Sequence, residues 1–244
     1  MRDIIKVENL SKAYGHLNAV NNFSFAVKKG TVFGLLGANG AGKSTAVECV
    51  LGTKPIDSGT VSILGLNPKV DRKELFQKVG VQFQESNYQE NIRVEELCEV
   101  MSSLYKKVTD YRTLLNKFGI ADKSKTLVKE LSGGQKQRLF IILALIPNPE
   151  VVFLDELTTG LDTRARRDVW QIIKELKQQG LTILLTSHFM DEVEELCDEI
   201  CILKKGNSVF YGTVEDAITK SPYDKFLDAY LWYTDKEARE NENI

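Results

Sequence analysis

Apolar residues gather in short, nearly continuous runs along this chain: Thr31–Leu36, Val79–Phe83, Val151–Leu154, Leu181–Thr186 and Ile200–Leu203. Runs of this length predict strands buried on both faces of a parallel sheet. Two earlier runs, Ile4–Val7 and Phe23–Val27, predict short strands near the turn residues Tyr14-Gly15 and Lys29-Gly30. Between the later runs the period becomes helical. In Thr163–Gln179 the positions Ala165, Val169, Ile172, Ile173 and Leu176 fall on one helix face, and Gly180 ends it. Phe189–Cys197 repeats the pattern, and helices are also predicted over Lys43–Leu51 and Lys136–Ile146. Strands alternating with helices predict an α/β fold with a mainly parallel sheet.

Residues 85–130 break the alternation. They are charged, carry no strand run, and predict an inserted helical unit with helices near Val94–Tyr105 and Asp110–Phe118. Near the C-terminus, Tyr223, Phe226, Leu227, Tyr230 and Leu231 predict an amphipathic helix over 223–233. The polar run Thr234–Ile244 is expected to fray.

Composition narrows the class. The 244 residues suffice for one large domain or two small ones, and the hydrophobic and charged fractions are those of a soluble globular chain. The longest apolar run, Leu139–Ile146, is far short of the ~20 residues a membrane-spanning helix needs. The opening MRDIIKVENL has no apolar stretch of the secretory kind, so no leader is expected. A formal charge of −2 argues against nucleic-acid binding through a bulk positive field. Cys49, Cys98, Cys197 and Cys201 form no C-x-x-C and lack zinc spacing, so reduced thiols are expected.

Three motifs carry chemistry. Gly37-Ala38-Asn39-Gly40-Ala41-Gly42-Lys43-Ser44 fits G-x-x-x-x-G-K-[ST] between a predicted strand and a predicted helix that continues through Thr45. Glycines let such a loop wrap a phosphate, with backbone N–H groups pointing inward. Lys43 would reach the outer phosphates of a nucleotide, and the Ser44 hydroxyl would ligate Mg2+. Asp155 and Glu156 end an apolar strand; Asp155 suits the metal, and Glu156 is then free to polarise a water. Ser132, Gly133, Gly134 and Gln135 open a helix and form a second anion site. One nucleotide needs only one phosphate loop, so the second site is read as serving a nucleotide held by another subunit.

Together, LSGGQ, the phosphate loop and the LDE strand resemble the ATP-binding cassette (ABC) ATPases over nearly the whole chain. The resemblance implies a P-loop, RecA-like core with a mainly parallel sheet, an N-terminal antiparallel β subdomain and an inserted helical subdomain. It implies an ATPase domain over 1–222, with the insertion at about 85–130, followed by a helix and polar tail over 223–244. It places Tyr14 under the adenine, Ser132, Gly133, Gly134 and Gln135 on the nucleotide of a head-to-tail partner, and Asp162 in the D-loop Gly160-Leu161-Asp162. His188 becomes the switch histidine at the γ-phosphate. Gln84, preferred over Gln82, becomes the Q-loop residue that senses Mg2+. The family usually has proline where Leu157 stands, which implies a less constrained turn here.

By the same resemblance the chain is an Mg-dependent ATPase with ATP and Mg2+ as cofactors. LDTRARRDVW and SHFMDEVEELCDEICILKKGNSVFYGT look like the drug-exporter branch. That branch implies a separately encoded integral membrane permease and a homodimer, or a pair with another ABC subunit, in the ATP state. It also implies a cytoplasmic protein peripheral on the inner membrane face, with no direct nucleic acid. The permease is expected to dock near Glu85, Tyr88 and the Val94–Met101 helix. The alternative is a soluble, non-transport ABC ATPase acting on nucleic acid or ribosomes, which predicts salt-sensitive polynucleotide binding.

Overall fold

The computed structural model describes residues 2–82 and 88–235. Two long strands, β1 (Asp3–Tyr14) and β2 (Leu17–Lys28), form a hairpin turning at Gly15, whose φ is +58°. Then come β3 (Val32–Leu36), α1 (Lys43–Val50), β4 (Ser58–Ile63), α2 (Arg72–Leu75) and β5 (Val79–Gln82). Helices α3 (Val94–Ser103), α4 (Tyr111–Lys117) and α5 (Gly133–Leu145) precede β6 (Val151–Asp155). The chain continues as α6 (Thr163–Gln178), β7 (Thr182–Ser187), α7 (Met190–Leu196), β8 (Glu199–Lys204), β9 (Asn207–Gly212), α8 (Val214–Thr219) and α9 (Phe226–Thr234).

The apolar runs assemble as a six-stranded sheet in the order β5-β6-β7-β3-β8-β9. All its pairings are parallel except β8 with β9. Successive side chains of a strand point to opposite faces. Val152 and Leu154 therefore join the cluster that holds Ile142 of α5 and Ile173 of α6. Val151 and Phe153 join the opposite cluster, with Val47 of α1 and Phe25 of β2. Burial on both faces is what made these strands continuous apolar runs.

A separate antiparallel sheet, β2-β1-β4, covers the α1 side, with the Phe25 and Phe33 rings stacked at 4.9 Å. One of its faces meets solvent, so β1 and β2 alternate polar and apolar residues and extend well beyond their apolar runs. β4 and β9 were not predicted, because neither carries an apolar run.

The C-terminal helix forms, but not with the expected face. Phe226, Ala229, Tyr230 and Tyr233 are buried against α7 and β8 residues, whereas Tyr223, Leu227 and Leu231 are exposed. Apolar residues occur all around this helix, so periodicity alone could not pick its inner face. The start also moves to Phe226. The tail beyond Asp235 lies outside the described residues.

Candidate functional site

Strand order brings the motifs together. β3, β7 and β6 are neighbours, and their C-terminal ends lead into the phosphate loop, His188 and the carboxylates respectively. Leu36 pairs with Ser187, and Asp155 pairs with Thr186. Ligands of open α/β sheets bind at this edge.

The phosphate loop holds a demanding backbone. Gly42 has φ +107°, and a Cβ there would lie 2.3 Å from the Ala19 carbonyl oxygen. Only glycine permits both. The β1–β2 hairpin therefore closes over the loop, and a cleft of about 640 Å³ forms between them. Tyr14, Asn39, Gly40, Lys43, Ser44 and Glu156 line it, with Gly42 and Thr45. A Cβ on Gly37 would clash at 2.7 Å with that of Ala41 and at 2.6 Å with the Leu203 carbonyl oxygen. Tyr14 is 44% exposed at the mouth, and the ammonium groups of Lys12 and Lys54 lie 5.4 and 5.7 Å from its ring centroid. Ala19 and Gly206 also shape the cleft, and no residue type in the sequence singled them out.

Lys43 is only 4% exposed and its ammonium donates to the carbonyls of Gly37 (2.8 Å) and Ala38 (3.3 Å). Its Nζ lies 3.6 Å from Oε1 of Glu156. Nδ1 of His188 lies 3.6 Å from the same oxygen. Glu156 has φ +49°, a left-handed conformation that costs a non-glycine residue and clusters at active sites. Thr186 holds it there: its hydroxyl accepts the Glu156 N–H at 2.9 Å and donates to Asp155. Sequence reasoning missed Thr186, although a hydroxyl at the end of an apolar strand beside His188 was a signal.

Asp155 is 6% exposed. Burial pushes its carboxyl above the ordinary carboxylate range; hydrogen bonds from Thr186 and Ser44 and the charge of Lys43 oppose this, while Glu156 reinforces it. A buried carboxylate beside a serine hydroxyl is a hard-oxygen donor pair, which fits Mg2+. No cluster of three or more His, Cys, Asp or Glu is placed to hold a metal among the described residues.

The LSGGQ stretch stands elsewhere. α5 starts at Gly133, earlier than its apolar run implied, and Ser132 is its N-cap. The Ser132 hydroxyl accepts from Gln135 N–H at 3.3 Å, and the Gln135 side chain accepts from Ser132 N–H at 3.0 Å. Gly134 abuts α6, where a Cβ would come within 3.2 Å of Ala165. Asp162 caps α6, accepting from Arg164 and Ala165 N–H groups at 2.9 Å. Ser132, Gly133, Gly134, Gln135 and Asp162 line one cleft of about 370 Å³. It shares no lining residue with the phosphate-loop cleft. The two sets of motif residues thus line different clefts of the chain.

Gln84 and Glu85 lie outside the described residues; Gln82 is the buried last residue of β5. Tyr88 packs its ring 6.1 Å from that of Phe140. Leu157 is wholly buried, in the cluster that includes Val169 and Leu185. The turn after Glu156 is therefore anchored by burial rather than left loose.

The sequence profile of the ABC transporter family matches residues 20–159. The chain is 39% identical over 219 residues to Nod factor export ATP-binding protein I of Rhizobium etli, covering 88% of this chain and 69% of that protein. It is 34% identical over 232 residues to linearmycin resistance ATP-binding protein LnrL of Bacillus subtilis, covering 92% and 74%. A solved ATP-binding subunit of an ABC transporter superposes with a TM-score of 0.85 at 26% identity, covering 95% of this chain and all of that one.

Proposed function

This chain belongs to the ABC transporter family, and on that premise we propose that it powers export through a separate membrane permease by closing as a head-to-tail dimer on ATP. It is an ATP-binding and ATP-hydrolysing chain of that family. Two relatives support the direction of transport: one named for Nod factor export, the other for linearmycin resistance. The names of these two relatives favour transport over the non-transport alternative.

The observation that carries the site is the meeting of Lys43, Glu156 and His188 on one carboxylate oxygen at the phosphate loop. In our reading the loop N–H groups and Lys43 take the phosphate charge, and Tyr14 stacks on adenine. Ser44 and Asp155, with Gln84, hold Mg2+, which neutralises phosphate charge when bound. Glu156 receives the proton of the attacking water, and His188 orients the group it faces. Ser132, Gly133, Gly134, Gln135 and Asp162 act on the partner's nucleotide. Residues 1–222 form the ATPase unit.

No helix among the described residues is long and apolar enough to cross a membrane. In this proposal the chain sits on the cytoplasmic face, with the permease seated where the insertion meets the body. Val100 and Leu104 of and beside α3 are 53% and 64% exposed, an apolar surface suited to an incoming helix. The test is crosslinking from single cysteines at positions 88–92 to the co-expressed permease. Crosslinks should form there; crosslinks confined to Lys174–Gln179 would overturn the placement.

A further inference from the structure

Lys43, Asp155 and Glu192 are the charged residues buried as whole residues among the described ones, and the Glu156 side chain is only 8% exposed. The first two belong to the nucleotide site. Glu192, on α7, is 1% exposed and has no role there. Burying a carboxylate is costly unless hydrogen bonds compensate. Glu192 has two donors, and both are neutral. Its Oε2 accepts from the Ser187 hydroxyl at 2.5 Å, and its Oε1 accepts from the Trp170 indole N–H at 3.2 Å.

These partners bracket the switch histidine. The Ser187 hydroxyl that donates to Glu192 also accepts the Phe189 N–H at 3.0 Å. The residues on either side of His188 are thereby tied to one carboxylate. The Phe189 ring lies 4.2 Å from the imidazole, centroid to centroid. Arg166 covers Phe189 at 4.3 Å, lies 5.2 Å from the Trp170 ring, and pairs with Asp191 at 2.7 Å. Arg166 and Trp170 both stand on α6, the helix capped by Asp162.

We propose that Glu192 is a positioning residue for ATP hydrolysis: through Ser187 it holds His188 at Glu156, and through Trp170 it ties that placement to the helix that begins at the D-loop. The two carboxyl oxygens accept both bonds at once, one from each element. A rigid second layer of this kind sets where a catalytic side chain sits. A shift of α6, when the D-loop meets a partner, reaches His188 by this path.

The inference rests on His188 acting at the nucleotide, and steady-state ATPase assays on the full chain separate the two. Glu192→Leu should lower kcat about tenfold or more, while the KM for ATP stays within about twofold. Glu192→Gln, which keeps one acceptor, should fall between Glu192→Leu and the wild type. Trp170→Phe, which deletes one donor and keeps an aromatic ring, should lower kcat with KM unchanged, and it covers the case in which Glu192→Leu does not fold. The deciding arm is His188→Ala combined with Glu192→Leu. If Glu192 works through His188, the double variant is no slower than His188→Ala alone. Multiplying losses would show a general structural role and overturn the inference. A His188→Ala protein as fast as wild type would overturn the site reading itself. A slow His188→Ala beside fully active Glu192→Leu and Trp170→Phe would overturn only the inference.

Discussion

Nζ of Lys43 stands 3.6 Å from Oε1 of Glu156, joining the loop after β3 to the residue that follows β6. The pair links the group that takes phosphate charge to the group read as the base. Both side chains are almost wholly covered, at 4% and 8% exposure, so each senses the other with little screening by water.

Glu156→Gln should therefore separate binding from turnover. The amide keeps the shape of the site but cannot take a proton. We expect kcat to fall by about 10²–10⁴-fold, the usual contribution of a general base. ATP should still bind, and the closed dimer should accumulate. Sedimentation of this variant with and without ATP checks it; unchanged turnover, or no mass increase with ATP, counts against the reading.

Asp155 gives a pH signature. Its carboxyl is raised, chiefly by burial, so the folded protein keeps that proton to a higher pH than the unfolded chain does. Stability then falls as pH rises from the ordinary carboxylate value through the raised one, and the loss is complete above it. Asp155→Asn removes this slope. Without nucleotide or metal, its Tm at neutral pH should rise. Its Mg-dependent ATPase activity should be lost. Thermal melts from about pH 4 to pH 7 measure the slope; an equal pH dependence in both proteins would refute the assignment.

Gly80 of β5 touches α5, the helix that LSGGQ opens. A Cβ at Gly80 would lie 2.0 Å from the Ala144 carbonyl oxygen, a clash with backbone. Gly80→Ala must push β5 and α5 apart. We expect a loss of about 3 kcal/mol, read by urea unfolding, and Gly160→Ala, whose Cβ would meet nothing within 4 Å, serves as a contrast limited to its φ of +78°.

Leu157, where the family usually has proline, is buried completely. Leu157→Ala should cost about 2–4 kcal/mol through lost contacts and a residual cavity. If urea unfolding shows a change within about 0.5 kcal/mol, the range for surface positions, burial does not anchor this turn.

The thiols should be inert in the folded chain. Burial pushes Cys98 and Cys201 up to about 12, Cys197 well above its ordinary value, and Cys49 upward too. The thiolate is the reactive form. A colorimetric thiol reagent at mild pH should label the native protein slowly at all four sites and label four thiols at once in denaturant. Fast labelling of the native chain would contradict this burial.

Much of the site was readable from residue types, because its chemistry is local. A loop that wraps phosphate needs Gly37 and Gly42 at fixed spacing ahead of Lys43 and Ser44, and no partner element alters that need. The parallel strands were readable for a related reason: burial on both faces leaves an unbroken apolar run. β4 and β9 lack such runs, and α9 is apolar all around, so their edges and inner face waited on what packs against them. Tertiary structure alone decided that β6, β7 and β3 lie side by side, which puts Glu156, His188 and Lys43 on one oxygen. It alone placed Thr186 under both carboxylates, held Glu156 at positive φ, and buried Glu192 behind His188. Those outcomes depend on pairings between residues far apart in sequence, and a hydroxyl or carboxylate carries no mark of its distant partner.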